Sequence, residues 1–216
     1  MDKPLRFFPL DRIKELELEI AAGLQARSLW ARRDAIAVAL GLHGLRVGEV
    51  CGARADQFRP GHRRLWVATL KGGLCRDLPL HDSVIAALLT WRGQVAKRLG
   101  HLPPWLLSSH RGNRLDPQRP QQAAGAIFRR LLGPGHGRTF HSLRHTFAMQ
   151  LYSRTLDVFL VKRMMGHATI QSTEIYVQAV AAVPEDCLVH LDHVSMVPEP
   201  GRLRGCQLRL YDPAAG

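Results

Sequence analysis

The sequence predicts an α+β domain, mainly α with one small antiparallel β-sheet, and three observations predict it. Apolar residues recur at the helical spacing through most of the chain. One stretch, residues 56–80, changes instead to short strand-like runs separated by turn residues. The 216 residues, 46% of them hydrophobic, suffice for one domain with a core of its own and a short appendage.

Taken in order, Asp11 is placed to cap a first helix whose apolar positions Ile13, Leu16, Ile20 and Leu24 share a face, and a second helix is expected over residues 29–42. Gly44 interrupts, and Leu45, Val47 and Val50 begin a short helix carrying Arg46 and Glu49. Residues 65–69 and 74–80 read as strands, with Pro60-Gly61 and Lys71-Gly72-Gly73 as turns, so Lys71 is expected at a hairpin tip. Asp82 and Ser83 open a long helix to Leu99, and a loop-rich crossing follows around Pro103-Pro104 and Arg111-Gly112-Asn113. Further helices are expected at 120–132, 142–153, 158–165 and 172–181, the first two joined by a glycine-rich connection at 133–137. Residues 1–182 are expected to form the domain and 183–216 a C-terminal tail, where prolines and a weak strand-like run at 207–211 show no packing face.

Thirty Lys and Arg against 18 Asp and Glu leave a net charge of +12 at pH 7, which favours a polyanionic partner. All but five of the basic residues are arginine, a bias that a GC-rich genome also produces, so charge alone does not establish nucleic-acid binding. No run reaches the ~18 apolar residues of a membrane span, and the first residues lack the apolar core of a signal peptide, so a cytoplasmic protein is expected. Cys51, Cys75, Cys187 and Cys206 lie far apart with no zinc-ligand spacing, which argues against a disulfide framework or structural metal.

The densest polar cluster is His141-Ser142-Leu143-Arg144-His145. On a helix residues 141, 144 and 145 share one cationic face, while Leu143, Phe147 and Leu151 can face the core. Met165-Gly166-His167 closes one helix at a glycine, and Tyr176, one of three tyrosines, follows in the next. Arg46 stands at a helix start between small residues, where a phosphate can approach the backbone. Each of these singly has an ordinary explanation: a solvated arginine, a satisfied histidine, a half-buried tyrosine or an exposed lysine turn.

Together, Arg46, Lys71, His141-x-x-Arg144, Gly166-His167 and Tyr176, in this order and spacing, resemble the catalytic domain of tyrosine recombinases, the phage-integrase family. The likeness includes Gly-Leu-Arg-x-x-Glu at 44–49, Leu143-Arg144-His145-Thr146-Phe147-Ala148 and Thr173-x-x-Tyr176. The resemblance implies DNA cleavage by Tyr176 through a 3′-phosphotyrosyl ester, without ATP, metal or other cofactor. It makes Arg46, Lys71, His141, Arg144, His167 and Tyr176 catalytic, with Glu49 and His145 in support. Arg46 and Arg144 would answer the charge on the nonbridging oxygens, and His167 would add a hydrogen bond. His141 would take or orient the tyrosine proton, and Lys71 would protonate the leaving 5′ oxygen. Double-stranded DNA, a dimer or tetramer on it and an accessory DNA-bending protein are the partners so implied, with a place on the nucleoid.

The match has departures. The family usually carries another helical domain before the catalytic one, whereas here the helix from Asp11 reads as the opening of the catalytic domain. A minimal recombinase similar in size to the fimbrial phase-variation invertases, or a fragment, is expected. Residues 153–157 stand where the family usually has a glycine, and Met164-Met165 where it prefers leucine. Type IB topoisomerase-like relaxation, and a non-cleaving DNA-binding regulator on the same fold, remain open alternatives.

Overall fold

A computed structural model describes residues 6–68 and 73–181. Eight α-helices and one three-stranded sheet are found among them. The helices are α1 (Ile13–Leu24), α2 (Leu29–Leu42), α3 (Val47–Gly52), α4 (Asp82–Leu99), α5 (Gln118–Leu132), α6 (Phe140–Thr155), α7 (Val158–Met165) and α8 (Gln171–Ala181). Strands β1 (Phe58–Arg59), β2 (Arg64–Val67) and β3 (Arg76–Pro79) lie in that order, both pairings antiparallel. The mainly helical α+β class is as expected from the sequence.

Helix α2 forms the centre because it is apolar nearly all round: every residue from Ala35 to Leu42 is buried. Helices α1, α4, α5 and α6 pack against it. Ser28 caps it by accepting from the Ala31 N–H, and α1 contributes its expected stripe Ile13, Leu16, Ile20 and Leu24, all buried. The sheet sets Leu65 opposite Leu78 on the face turned to the core.

At the C-terminal end of α2 the Leu45 N–H donates to the Leu40 carbonyl and turns the chain through Gly44, whose φ is +90°. A side chain there would place its Cβ 2.7 Å from the Phe147 ring, so glycine is needed both for conformation and for space. This close crossing seats the start of α3 against α6.

Several boundaries differ from the sequence reading, each for a local reason. Asp11 lies inside a 3-10 turn (Leu10–Arg12) that follows Pro9, so α1 starts at Ile13 without a side-chain cap. Helix α4 keeps its expected bounds, Asp82 to Leu99, and is capped by His81, whose ring nitrogen accepts from the Ser83 N–H. Helix α5 starts two residues early because the Asp116 carboxylate holds the Gln118 N–H. Helix α6 starts at Phe140, behind Thr139, whose N–H the Ser142 hydroxyl accepts, so His141 is helical too. Leu74 leaves the sheet, and its N–H donates to the Gly166 carbonyl, 3.3 Å away. The two-residue β1 is too short for periodicity to reveal. Lys71 and the tail 183–216 lie outside the described residues. No helix among those described is long and apolar enough to cross a membrane.

Candidate active site

The polar residues singled out above converge where the end of α2, the start of α3, strand β3 and helices α6, α7 and α8 meet. Arg144, one turn into α6, is 1% exposed. Its guanidinium donates to the backbone carbonyls of Gly44, in the turn after α2, and Met165, the last residue of α7. It stands 3.8 Å from the Glu49 carboxylate. Burial, then the neighbouring Arg46, presses Arg144 down to about 9 while Glu49 opposes them, and the group stays charged at neutral pH.

Glu49 is the hub. One of its oxygens accepts from the Arg46 backbone N–H at 2.8 Å, which closes the first turn of α3, and the other meets the Arg46 guanidinium at 3.2 Å. Arg76 of β3, which sequence reasoning did not single out, adds contacts to both oxygens at 3.2 and 2.9 Å. Burial pushes the Glu49 carboxyl up, but Arg76, the Arg46 N–H and the Arg144 charge together hold it below its ordinary value. Arg46 keeps 39% of its side chain exposed and is the open edge of the cluster. Three guanidinium groups around one carboxylate leave two positive charges uncompensated, which suits the site to a phosphate diester.

The tyrosine sits beside this charge. Tyr176 on α8 is 1% exposed, and its hydroxyl lies 2.9 Å from Nδ1 of His145. Burial lifts the phenol to about 12 against the pull of Arg144 and Arg46. Burial, then His141, Arg144 and His167, holds His145 down to about 4, so its ring is neutral near pH 7. The His167 ring is nearly parallel to the Tyr176 ring, at 9° with centroids 6.4 Å apart, and its Nδ1 is 3.0 Å from the Thr173 hydroxyl. His167 too is held down to about 4, by burial and then by the three arginines and His141.

His141 stands edge-on to His145, centroids 4.4 Å apart, with its own ring open to solvent. The surrounding protein and the Arg144 and Arg46 charges lower it. The histidine that meets the tyrosine hydroxyl is therefore His145, expected only in support, whereas His141 is an exposed residue beside it. All of the expected site residues among those described are thus brought together, and Lys71 lies outside the described residues. Arg76 had one legible signal, an arginine at an inward strand position two residues from Leu78. No group of three or more His, Cys, Asp or Glu side chains is gathered to hold a metal among the described residues.

Residues 13–182 match the phage integrase family. The chain belongs to that family. It is 35% identical over 151 residues to tyrosine recombinase XerC of Nitrobacter winogradskyi, covering 68% of this chain and 46% of that one. To XerC of Agrobacterium fabrum it is 32% identical over 173 residues, covering 78% and 53%. The chain thus spans about half the length of the curated relatives it matches. A crystal structure of the XerH site-specific recombinase bound to a palindromic difH substrate, a post-cleavage complex, superposes with a TM-score of 0.71 at 19% identity. It covers 82% of this chain and 50% of that one, and shows that the fold is that of a tyrosine recombinase catalytic domain.

Proposed function

We propose that the chain is the strand-cleaving part of a site-specific DNA recombinase, with Tyr176 as nucleophile. The observation that carries this reading is the placement of the Tyr176 hydroxyl on a neutral histidine, beside arginines that hold two uncompensated positive charges. Tyr176 Oη attacks the scissile phosphorus, the bond to the 5′ oxygen breaks, and a 3′-phosphotyrosyl ester remains. With the phenol lifted to about 12 and His145 held down to about 4, moving the proton fully to His145 before attack is steeply uphill. The proton therefore passes to His145 Nδ1 as the new P–O bond forms.

Arg46 and Arg144 stabilise the negative charge on the nonbridging oxygens. His167 meets the Thr173 hydroxyl through Nδ1, and the neutral tautomer with its hydrogen on Nε2 donates that hydrogen to the same oxygens. His141 orients the DNA phosphate at the entrance, and Lys71 supplies the proton to the leaving 5′ oxygen. Because one ester replaces another, the reverse attack by a 5′ hydroxyl rejoins the strand without ATP.

The same proposal takes residues 1–182 as the catalytic domain and the 183–216 tail as a segment that docks on a neighbouring subunit in a dimer or tetramer on DNA. It includes double-stranded DNA as substrate, supported by the family and by the DNA-bound XerH structure, an accessory DNA-bending protein, and a cytoplasmic, nucleoid-associated setting. The test incubates the protein with nicked duplexes from the DNA flanking its gene and looks on a denaturing gel for a covalent adduct, with Tyr176→Phe alongside. An adduct lost in the variant is expected. DNA binding without any adduct, or an adduct that persists in Tyr176→Phe, would overturn the assignment.

A further inference from the structure

Arg76 is the third arginine of the cluster, and unlike Arg46 it is buried away from solvent. Its side chain is 3% exposed, it lies on the inward face of β3 beside Leu78, and its Nε has no hydrogen-bond partner. Its two terminal nitrogens grip the two Glu49 oxygens at 3.2 and 2.9 Å, and one of them also reaches the Gly44 carbonyl at 3.4 Å. A carboxylate offers about four hydrogen-bonding positions. At Glu49 the Arg46 N–H and the Arg46 guanidinium take two, and Arg76 takes the others.

The packing fixes Arg76 in that place. A Cβ on Gly166, whose φ is +63°, would lie 2.8 Å from the Arg76 guanidinium and 2.8 Å from the Leu74 carbonyl. The Leu74 N–H is bonded to the Gly166 carbonyl. The end of α7 and the entry to β3 thus close over Arg76 from one side while Glu49 and Gly44 hold it from the other. Arg144 donates to the same Gly44 carbonyl, and its guanidinium stops 3.8 Å short of Glu49.

We propose that Arg76 is a positioning residue for the cleavage reaction: by taking the two remaining positions at Glu49 it limits Arg46 to a single side-chain contact there and keeps the Arg144 fork from collapsing onto the carboxylate, so that both stay available to the scissile phosphate. Without Arg76 the buried Glu49 charge is undercompensated, and the nearest cations are the two arginines that the phosphate needs. Lysine keeps the charge but cannot grip both oxygens. This inference rests on the reading of the site as a DNA-cleaving centre.

The test compares the parent protein with Arg76→Lys and Arg76→Gln, after matching helix content by circular dichroism, for adduct formation at saturating nicked duplex. One duplex carries the natural phosphate at the cleavage point. The other carries a methylphosphonate, whose neutral group lacks the charge that the arginine forks answer. On the phosphate, Arg76→Lys is expected to slow adduct formation roughly tenfold to hundredfold with DNA affinity unchanged. On the methylphosphonate the loss is expected to fall to about threefold or less, because misdirected forks matter little there.

Equal losses on both substrates would mean a purely structural role, and parental rates on the phosphate would mean none. Either overturns the proposal. Failure of Arg76→Gln alone to fold leaves Arg76→Lys to decide. Should the parent form no adduct on any duplex, the DNA-cleaving reading itself has failed. Isotope-edited NMR of the arginine side chains then judges the positioning: Arg46 and Arg144 signals shifted in Arg76→Lys uphold it, and unmoved signals overturn it.

Discussion

Replacing His145 by phenylalanine tests how the tyrosine loses its proton. Phenylalanine retains an aromatic ring but removes the acceptor that lies 2.9 Å from the Tyr176 hydroxyl. The hydroxyl, on a residue 1% exposed, is left without that partner, which costs about 1–3 kcal/mol of stability. The larger effect is on the reaction. A positioned general base contributes about a hundredfold to ten-thousandfold, so adduct formation by His145→Phe on saturating nicked duplex should fall by that factor. The pH profile separates this mechanism from its rival. His145 is unprotonated above about 4, so a proton taken during attack gives the parent a rate that stays flat from about pH 6 to pH 9. Attack by a pre-formed phenolate from a phenol near 12 would instead climb about tenfold per pH unit over the same range. A parental profile of that slope, unchanged in His145→Phe, would refute the reasoning.

Gly44→Ala should destabilise the protein by roughly 2–5 kcal/mol, from the left-handed backbone and the 2.7 Å approach to Phe147, and lower Tm by roughly 5–15 °C in a calorimetric scan. Fully buried His43 donates from Nδ1 to the Ala39 carbonyl and accepts the His81 N–H at Nε2, and burial holds it down to about 4. Its folded value lies below the unfolded value of about 6.5, so the unfolded chain binds more protons between the two. The stability it contributes is complete above pH 6.5 and is lost as pH falls toward 4, by about 2 kcal/mol at pH 5. Urea midpoints of the parent and of His43→Gln at pH 7 and pH 5 check this, the variant losing that part of the slope. Adduct formation should be unchanged by EDTA, and strict dependence of cleavage on Mg²⁺ would count against the mechanism.

The helices were legible because the core is built on their apolar stripes: Leu16 and Ile20 of α1 and Leu88 and Trp91 of α4 stand at helical spacing and are buried. Helix starts were less legible, since capping groups such as Thr139 and Asp116 lie outside the periodic pattern. One departure from the family pattern now has its place. Leu156 occupies the left-handed position after α6, with φ +51°, where glycine would be unstrained, and Asp157 follows as the cap of α7. At the site, residue identity and order pointed to Arg46, Glu49, Arg144, His167 and Tyr176, but which histidine meets the tyrosine could not be read. His141 and His145 are one helical turn apart on one face, and the choice depends on where α8 crosses α6. Arg76 was hidden because a buried arginine in a strand looks like any surface arginine until its carboxylate is found 27 residues away.

The way Arg144 is held explains how a buried cation can remain available to an anion. A second carboxylate beside it would make burial easy and would also cancel the charge that the reaction needs. Here the compensation comes instead from two backbone carbonyls, Gly44 in the turn that follows α2 and Met165 at the end of α7. The last carbonyls of a helix lack intrahelical donors and carry the negative end of its dipole, so Met165 favours a cation while contributing only a fraction of a charge, and the Gly44 carbonyl adds a second, uncharged acceptor. Glu49 is the one full counter-charge among these groups, and Arg76 and Arg46 are bonded to it more closely than Arg144 is. One turn carbonyl and one helix end therefore do for Arg144 what an ion pair would do elsewhere, and leave most of its charge in the site. It follows that Arg144→Lys should be costly even with the charge retained. A lysine is a compact point charge that cannot span both carbonyls as the planar fork does, so one buried carbonyl loses its partner. Adduct formation should fall at least as steeply as for loss of one oxyanion donor, about a hundredfold or more, and Tm should fall with it. An Arg144→Lys protein with parental stability and parental rate would show that charge alone, without the fork, is enough.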